Sequence, residues 1–231
     1  MSEVFLLGVD GCRKGWLGVL GRFEPEKGRF SGEEVRVVPR LAELLALSAK
    51  VIAIDMPLGL PEEFTPKGRL CDQLARRLLG PRAATIFTPP PRQAFLFQGY
   101  RKLYQAGVKL SRQSFNLLGK IKELHSLLES SEKLPVYETH PELVFWSLNR
   151  APLPSKHRPE GLKKRLELLL KTGLFKDLPS RLDQVPATLK VDLLDAYACL
   201  LAAKRIFSGE AQVLPPRPPR DRRGFPMAIW F

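Results

Sequence analysis

The sequence predicts an α/β fold: a mixed five-stranded sheet with flanking helices and a basic helical insertion, at about residues 60–133, after the fourth strand. Three observations carry this. Two continuous apolar runs, LLGV at 6–9 and VIAI at 51–54, each lead into an aspartate, and such runs suit strands buried on both faces. The run after the first, WLGVLGRF at 16–23, follows a gap that only a hairpin can bridge. Last, VDLLDAYACLLAA at 191–203 lies in a long helix, about 188–207, that ends before Gly209.

The elements follow in order. Residues 3–10 form the first strand, and Gly11–Gly15 turn the chain into the second. Pro25–Gly32 is a turn-rich connection, and EVRVV at 34–38 alternates as a third strand. A short helix follows Pro39, and VIAID at 51–55 is the fourth strand. Within the insertion, a helix around 69–79 stops at Gly80-Pro81. The prolines of TIFTPPPR at 85–92 exclude helix and central strand, and a second helix covers 115–128. PVYET at 135–139 is the fifth strand. Helices are predicted at 141–148, 160–170 and 188–207. PPRPPR at 215–220 reads as extended, polyproline-like backbone, and the closing MAIWF is apolar enough to dock on the body as a strand or plug. Three antiparallel strands followed by two that need crossovers make a mixed sheet. That is the element order of the ribonuclease H-like fold, here expected as a single domain over the 231 residues.

Composition narrows the function classes. At 44% hydrophobic and 26% charged the chain is neither disordered nor fibrous. Its three cysteines, 12, 71 and 199, form no CxxC, and its three histidines share no metal-ligand spacing. Reduced thiols in a cytoplasm are the expectation. No run approaches the ~20 apolar residues that cross a bilayer, so no membrane role is expected. The net charge is +13, which points to a polyanionic partner, nucleic acid first. The surplus is local: residues 61–133 hold 13 basic and 6 acidic residues, and 150–181 hold 9 and 3, whereas 1–60 hold 8 of each.

Acidic residues stand where an open α/β sheet places its chemistry, beyond the carboxyl ends of the strands. Asp10 and Asp55 end strands one and four, and Glu138 ends strand five. Asp192 and Asp195, spaced i, i+3, share one face of the last helix. Each also has a simpler reading. Asp10 and Asp55 can open turns, Asp192 and Asp195 can line a solvated helix stripe, and Glu138 can belong to the start of the next helix. Taken together the acids form a site: carboxylates brought close repel unless a cation lies between them. Mg²⁺ or Mn²⁺ suits oxygen ligands, and two such ions activate water against a phosphodiester.

GVDGCRKGW at 8–16, IDMPLGLP at 54–61, RLCDQLARRLLGPRAATIFTPP at 69–90, ETHPELVF at 138–145, DLLDAYACLLAA at 192–203 and GFPMAIWF at the close resemble the motif series of one family. It is a bacterial and archaeal family of unknown function whose members are described as predicted ribonuclease H-like nucleases. The resemblance covers nearly the whole chain. It implies a metal-dependent phosphodiesterase or nuclease, with Asp10, Asp55, Asp192 and Asp195 as catalytic residues and Mg or Mn ligands; Glu138 is a fifth catalytic candidate from its place at the end of strand five. No counterpart of the helical glutamate of true ribonuclease H is evident. Arg13, Lys14, Arg76, Arg82, Arg92 and Lys156 are the candidate substrate-binding cations, with Arg82 and Arg92 flanking the proline loop as a phosphate clamp. Asp72 and Arg76 are an i, i+4 pair. The alternatives are a non-catalytic nucleic-acid-binding protein of the same fold, an enzyme acting on a small phosphorylated or nucleotide-like substrate, and an actin-like phosphotransferase, which normally requires two such domains.

Overall fold

A computed structural model describes residues 3–130 and 134–231; the last residues of the expected insertion, 131–133, lie outside the described residues. In chain order the elements are β1 (Val4–Cys12), β2 (Gly15–Glu24), β3 (Arg29–Val38), α1 (Ala42–Leu45), β4 (Val51–Ile54), α2 (Leu70–Leu79), α3 (Tyr100–Gln105), α4 (Arg112–Ser130), β5 (Val136–Glu138), α5 (Pro141–Asn149), α6 (Pro159–Lys171), α7 (Leu178–Gln184), α8 (Lys190–Phe207), β6 (Val213–Leu214) and β7 (Ile229–Trp230). The chain divides into two compact units. A body unit comprises Met1–Asp55, Pro135–Ala211 and Trp230–Phe231, and an insert unit comprises Met56–Leu134 and Gln212–Ile229.

In the body unit the mixed sheet has the order β3-β2-β1-β4-β5. β1 pairs antiparallel with β2, and β2 with β3. β4 joins the other side of β1 in parallel, and β5 joins β4 in parallel. The two-residue turn Arg13–Lys14 works because Gly15 takes φ +129°, a conformation that side chains disfavour. β3 is twice the predicted length. Its first residues, Arg29–Gly32, carry no alternating pattern and are held as strand by pairing with β2, across a register shift at Arg22/Phe23.

α8 packs on β1, β2 and β4 and on α5 and α6. Leu193–Ala203 are buried throughout, as expected for a helix apolar on all sides. The approach to β1 is close enough to require glycine. A Cβ on Gly8 would stand 2.2 Å from the Leu200 nitrogen and 2.3 Å from the Ala196 oxygen. The closing residues dock as predicted: Thr139 forms a parallel bridge with Trp230 and donates its hydroxyl to the Trp230 carbonyl at 2.7 Å. Trp230 meets Tyr137 edge-to-face, and Phe231 is buried.

In the insert unit α2 ends at Gly80 with φ +50°, followed by Pro81, as its sequence requires. Residues 86–91 are irregular. α3 was not legible in the sequence, being too short for a period to show. Asp221 is a hub of this unit. Its carboxylate accepts from the Leu60, Arg223 and Phe225 amides and from Arg92. The PPRPPR stretch does not run straight, as polyproline would. It bends at Pro215–Arg217, and the chain doubles back so that Arg220 pairs with Pro226.

Candidate functional site

The register decides which acids meet. Val9 is level with Ile54, and Ile54 with Glu138, so those three side chains share one face of the sheet. The ladder continues through Asp55 N–H to the Val9 carbonyl at 3.0 Å and Thr139 N–H to the Ile54 carbonyl at 2.9 Å. Asp10, Asp55 and Thr139 therefore share the other face. Gly8, two residues before Asp10, is the residue pressed against α8, so this second face is the one α8 covers. Asp192 and Asp195 lie one helical turn before the Ala196 and Cys199 backbone that meets Gly8, toward the Asp10 end of β1.

Asp10, Asp55, Asp192 and Asp195 are thus brought together, and their electrostatics show it. Burial, then repulsion from Asp55, Asp195 and Asp192, pushes the Asp10 carboxyl well above the usual range, against the attraction of Lys156. Burial also raises Asp55; His140 and Lys156 oppose this, while Asp195 and Glu142 add to it. Asp195 is 1% exposed, which excludes a solvated stripe for that residue, whereas Asp192 is half-buried. Asp10 Oδ1 also accepts the Gly11 N–H at 2.8 Å, so it orders the turn as well as facing the cluster.

Glu138 is not part of this group. It is buried, but the register puts it on the opposite face of the sheet, one residue out of step with Asp10 and Asp55. Thr139 holds the level a fifth-strand acid would have needed.

Lys156 is brought in, with a partner the sequence did not indicate. Its ammonium donates to Asp195 Oδ2 at 2.5 Å. Burial alone would lower its proton affinity, but the Asp195, Asp10 and Asp55 carboxylates raise it above the ordinary lysine value. The loop that presents it is tied down by a buried pair. Arg165 donates to both Glu142 oxygens at 2.6 and 2.8 Å and to the Pro154 and Gly161 carbonyls. Gly161 lets the loop approach, since a Cβ there would stand 2.0 Å from the Ser155 oxygen. Glu142 and Arg165 are 23 residues apart, and no sequence pattern links them.

Two further residues border the cluster. The His140 ring accepts the Glu142 N–H through Nδ1 and lies beside Asp55, whose carboxyl it acts to lower. The buried Cys199 thiol is pushed up by burial and by Asp55, Asp10 and Asp195. The H-P that follows Glu138-Thr139 was the available signal for His140; Cys199 had none beyond its position on the acidic side of α8.

Of the other candidate cations, Arg13 and Lys14 are exposed at the β1–β2 turn. The remaining three belong to the insert unit. Arg76 spends its guanidinium on the loops around α2, donating to the Ile86 and Lys67 carbonyls and the Thr88 hydroxyl. Asp72 pairs with Arg69 rather than Arg76, through contacts at 2.7 and 3.1 Å, both side chains being 2% exposed. Arg92 faces acids, Asp221 at 2.7 Å and Glu129 at 3.2 Å, which replaces the expected phosphate clamp with an internal ion network. Arg82 lies half-buried in the 3₁₀ turn Gly80–Thr85.

The donor set suits a hard cation in kind: carboxylate oxygens that repel one another, with Asp195 Oδ1 buried and without a hydrogen-bond partner among the described residues. Among the described residues, however, no three His, Cys, Asp or Glu side chains are gathered closely enough to hold an ion. The cation within the cluster is Lys156. The three cysteines are buried thiols, and no described helix is long and apolar enough to cross a membrane.

A family model matches residues 8–220, and the chain belongs to that family, described as protein of unknown function (DUF429). No curated protein and no solved structure matches it.

Proposed function

We propose that this member of the family is a metal-dependent phosphodiesterase of the ribonuclease H-like superfamily, acting on nucleic acid. The observation that carries the reading is the convergence of Asp10, Asp55 and the α8 pair Asp192/Asp195 on one face, at the carboxyl end of the parallel strands. The mixed sheet and the element order agree with it. Mg²⁺ or Mn²⁺ would be held by Asp10, Asp55 and Asp195, with Asp192 at the rim, only once these carboxylates draw closer together than they stand here; when bound, the ion neutralises them and polarises a phosphoryl oxygen. The chain itself does the rest. Gly11 orients the Asp10 carboxylate, Lys156 holds Asp195 in place, and Arg13 and Lys14 present exposed charge to phosphate just beyond β1. The test is cleavage of labelled DNA and RNA with and without Mg²⁺ or Mn²⁺, comparing wild type with Asp10→Asn. Cleavage should need the metal and vanish in the variant; metal-dependent cleavage that survives Asp10→Asn overturns the assignment.

One observation favours a second reading. Lys156 already supplies a positive charge inside the cluster, which suits an enzyme that steadies a small phosphorylated or nucleotide-like substrate with a lysine. That reading predicts turnover of nucleotide or aryl phosphates in EDTA, lost in Lys156→Ala. An absence of such turnover removes it.

A further inference from the structure

We infer that the insert unit carries a binding surface for single-stranded nucleic acid, centred on an aromatic groove between residues 94–99 and α4. The inference deepens the proposed function by naming a class of nucleic acid, and it concerns binding alone.

The charge comes first. Residues 93–122 contain six cations, Arg101, Lys102, Lys109, Arg112, Lys120 and Lys122, and no acid. Thirty residues without one carboxylate leave the positive field of this segment uncancelled from within, so the complementary ligand is an anion. All but Lys120, which is half-buried, are exposed.

The groove supplies the second requirement. Ala94, Leu103, Val108 and Leu110 form a small buried core, with Phe97, Phe115 and Leu118 packed against it. Over these rings lies a groove of about 210 Å³, lined also by Phe95, Gly119 and Lys122. It is below the ~300 Å³ where pockets for drug-sized ligands begin and suits one planar ring. Nearby, Tyr104 is 54% and Leu96 83% exposed. Arg112 stacks over Tyr100 at 4.6 Å and Lys109 over Tyr104 at 6.0 Å. Cations interleaved with accessible rings are what a strand with unpaired bases needs, phosphates to the cations and base faces to the rings. A duplex hides those faces.

Gly119 points the same way. It lies inside α4, where glycine costs about 1 kcal/mol against alanine. Its φ is not positive, and a Cβ there would meet nothing within 4 Å. The fold therefore has no need of a glycine at this place, and its bare backbone keeps the groove open to a ligand.

The experiment is fluorescence anisotropy of the full chain in EDTA, with a labelled oligothymidylate and a duplex of the same length, over a range of salt concentrations. The single strand should bind at least about tenfold more tightly. Lys109→Gln with Arg112→Gln should lower the slope of log K against log salt by about 0.7 for each phosphate no longer neutralised. Gly119→Leu puts a side chain into the groove from a position where the added Cβ meets nothing within 4 Å; it should weaken binding by about tenfold or more, within the range of one lost base stack, and leave the salt slope unchanged. Circular dichroism checks that each variant is folded. Equal affinity for strand and duplex, or a Gly119→Leu variant that binds like wild type, overturns the inference and leaves the groove to an apolar partner. The two readings fail separately. Strand binding without metal-dependent cleavage refutes the catalytic site alone, and cleavage by a protein whose binding ignores all three substitutions refutes this surface alone.

Discussion

Replacing Lys156 with methionine removes the ammonium from the carboxylate cluster. In the wild type it lies 2.5 Å from Asp195 Oδ2, and the two side chains are 28% and 1% exposed. Removing one partner of a buried pair costs ~3–5 kcal/mol, because the other charge is left without compensation. Lys156 keeps some solvent exposure, which puts the loss at the low end, about 3 kcal/mol at neutral pH. For a chain of this length that corresponds to roughly 6–12 °C in Tm. The reverse single variant, Asp195→Leu, should cost less, about 1 kcal/mol, since it removes one of the carboxylates repelling Asp10 and Asp55 and Lys156 can turn toward water. Lys156→Met with Asp195→Leu should be close to wild type, because a well-packed apolar pair replaces a buried ion pair at little cost. Urea denaturation of the four proteins, with equal m-values, gives the coupling directly. A loss below about 0.5 kcal/mol in Lys156→Met, or strictly additive losses in the double variant, would show that the pair does not hold this site together.

Two further outcomes follow from the same geometry. Gly8→Ala should destabilise by about 3 kcal/mol, the upper end for overpacking, since the clashing atoms are α8 backbone at 2.2 and 2.3 Å; a loss under about 1 kcal/mol in denaturant titration would mean that α8 does not seat on β1 so closely. His125 should titrate at about 4 rather than 6.5, because burial, then Arg92, disfavours its charged form, and its buried Nδ1 has no hydrogen-bond partner among the described residues. The unfolded chain then binds the extra proton between pH 6.5 and 4, so His125 contributes stability above 6.5 that is lost as pH falls toward 4, roughly 3 kcal/mol in all. Histidine ring NMR reads this, and a midpoint near 6.5 contradicts it.

The strands and the last helix were legible because burial on both faces writes itself as continuous apolar residues. Where a neighbour rather than the residues imposes structure, the sequence was silent: Arg29–Gly32 is strand only because β2 pairs with it. The site divides the same way. The meeting of Asp10, Asp55 and Asp195 could be read ahead because strand ends and helix faces follow from local period. Glu138 was misplaced because a strand's register against its neighbour is not a local property, and one step moves a side chain to the other face. The arginines misled for a third reason. The sequence shows that Arg92 is charged but not that Asp221, 129 residues away, receives that charge.

The parallel pairing of β4 with β5 has a consequence for anyone who would shorten this protein. Parallel neighbours begin at the same edge of a sheet, so the chain that leaves Asp55 at one edge must travel back to Pro135 at the other. No tight turn makes that journey; it takes a crossover of about a dozen residues or more. Residues 56–134 are therefore the return path of the sheet as well as the larger part of the insert unit. Excising them calls for a substitute connector of that reach, and joining Asp55 directly to Pro135 would detach the fifth strand and the closing Trp230 that bridges to its end.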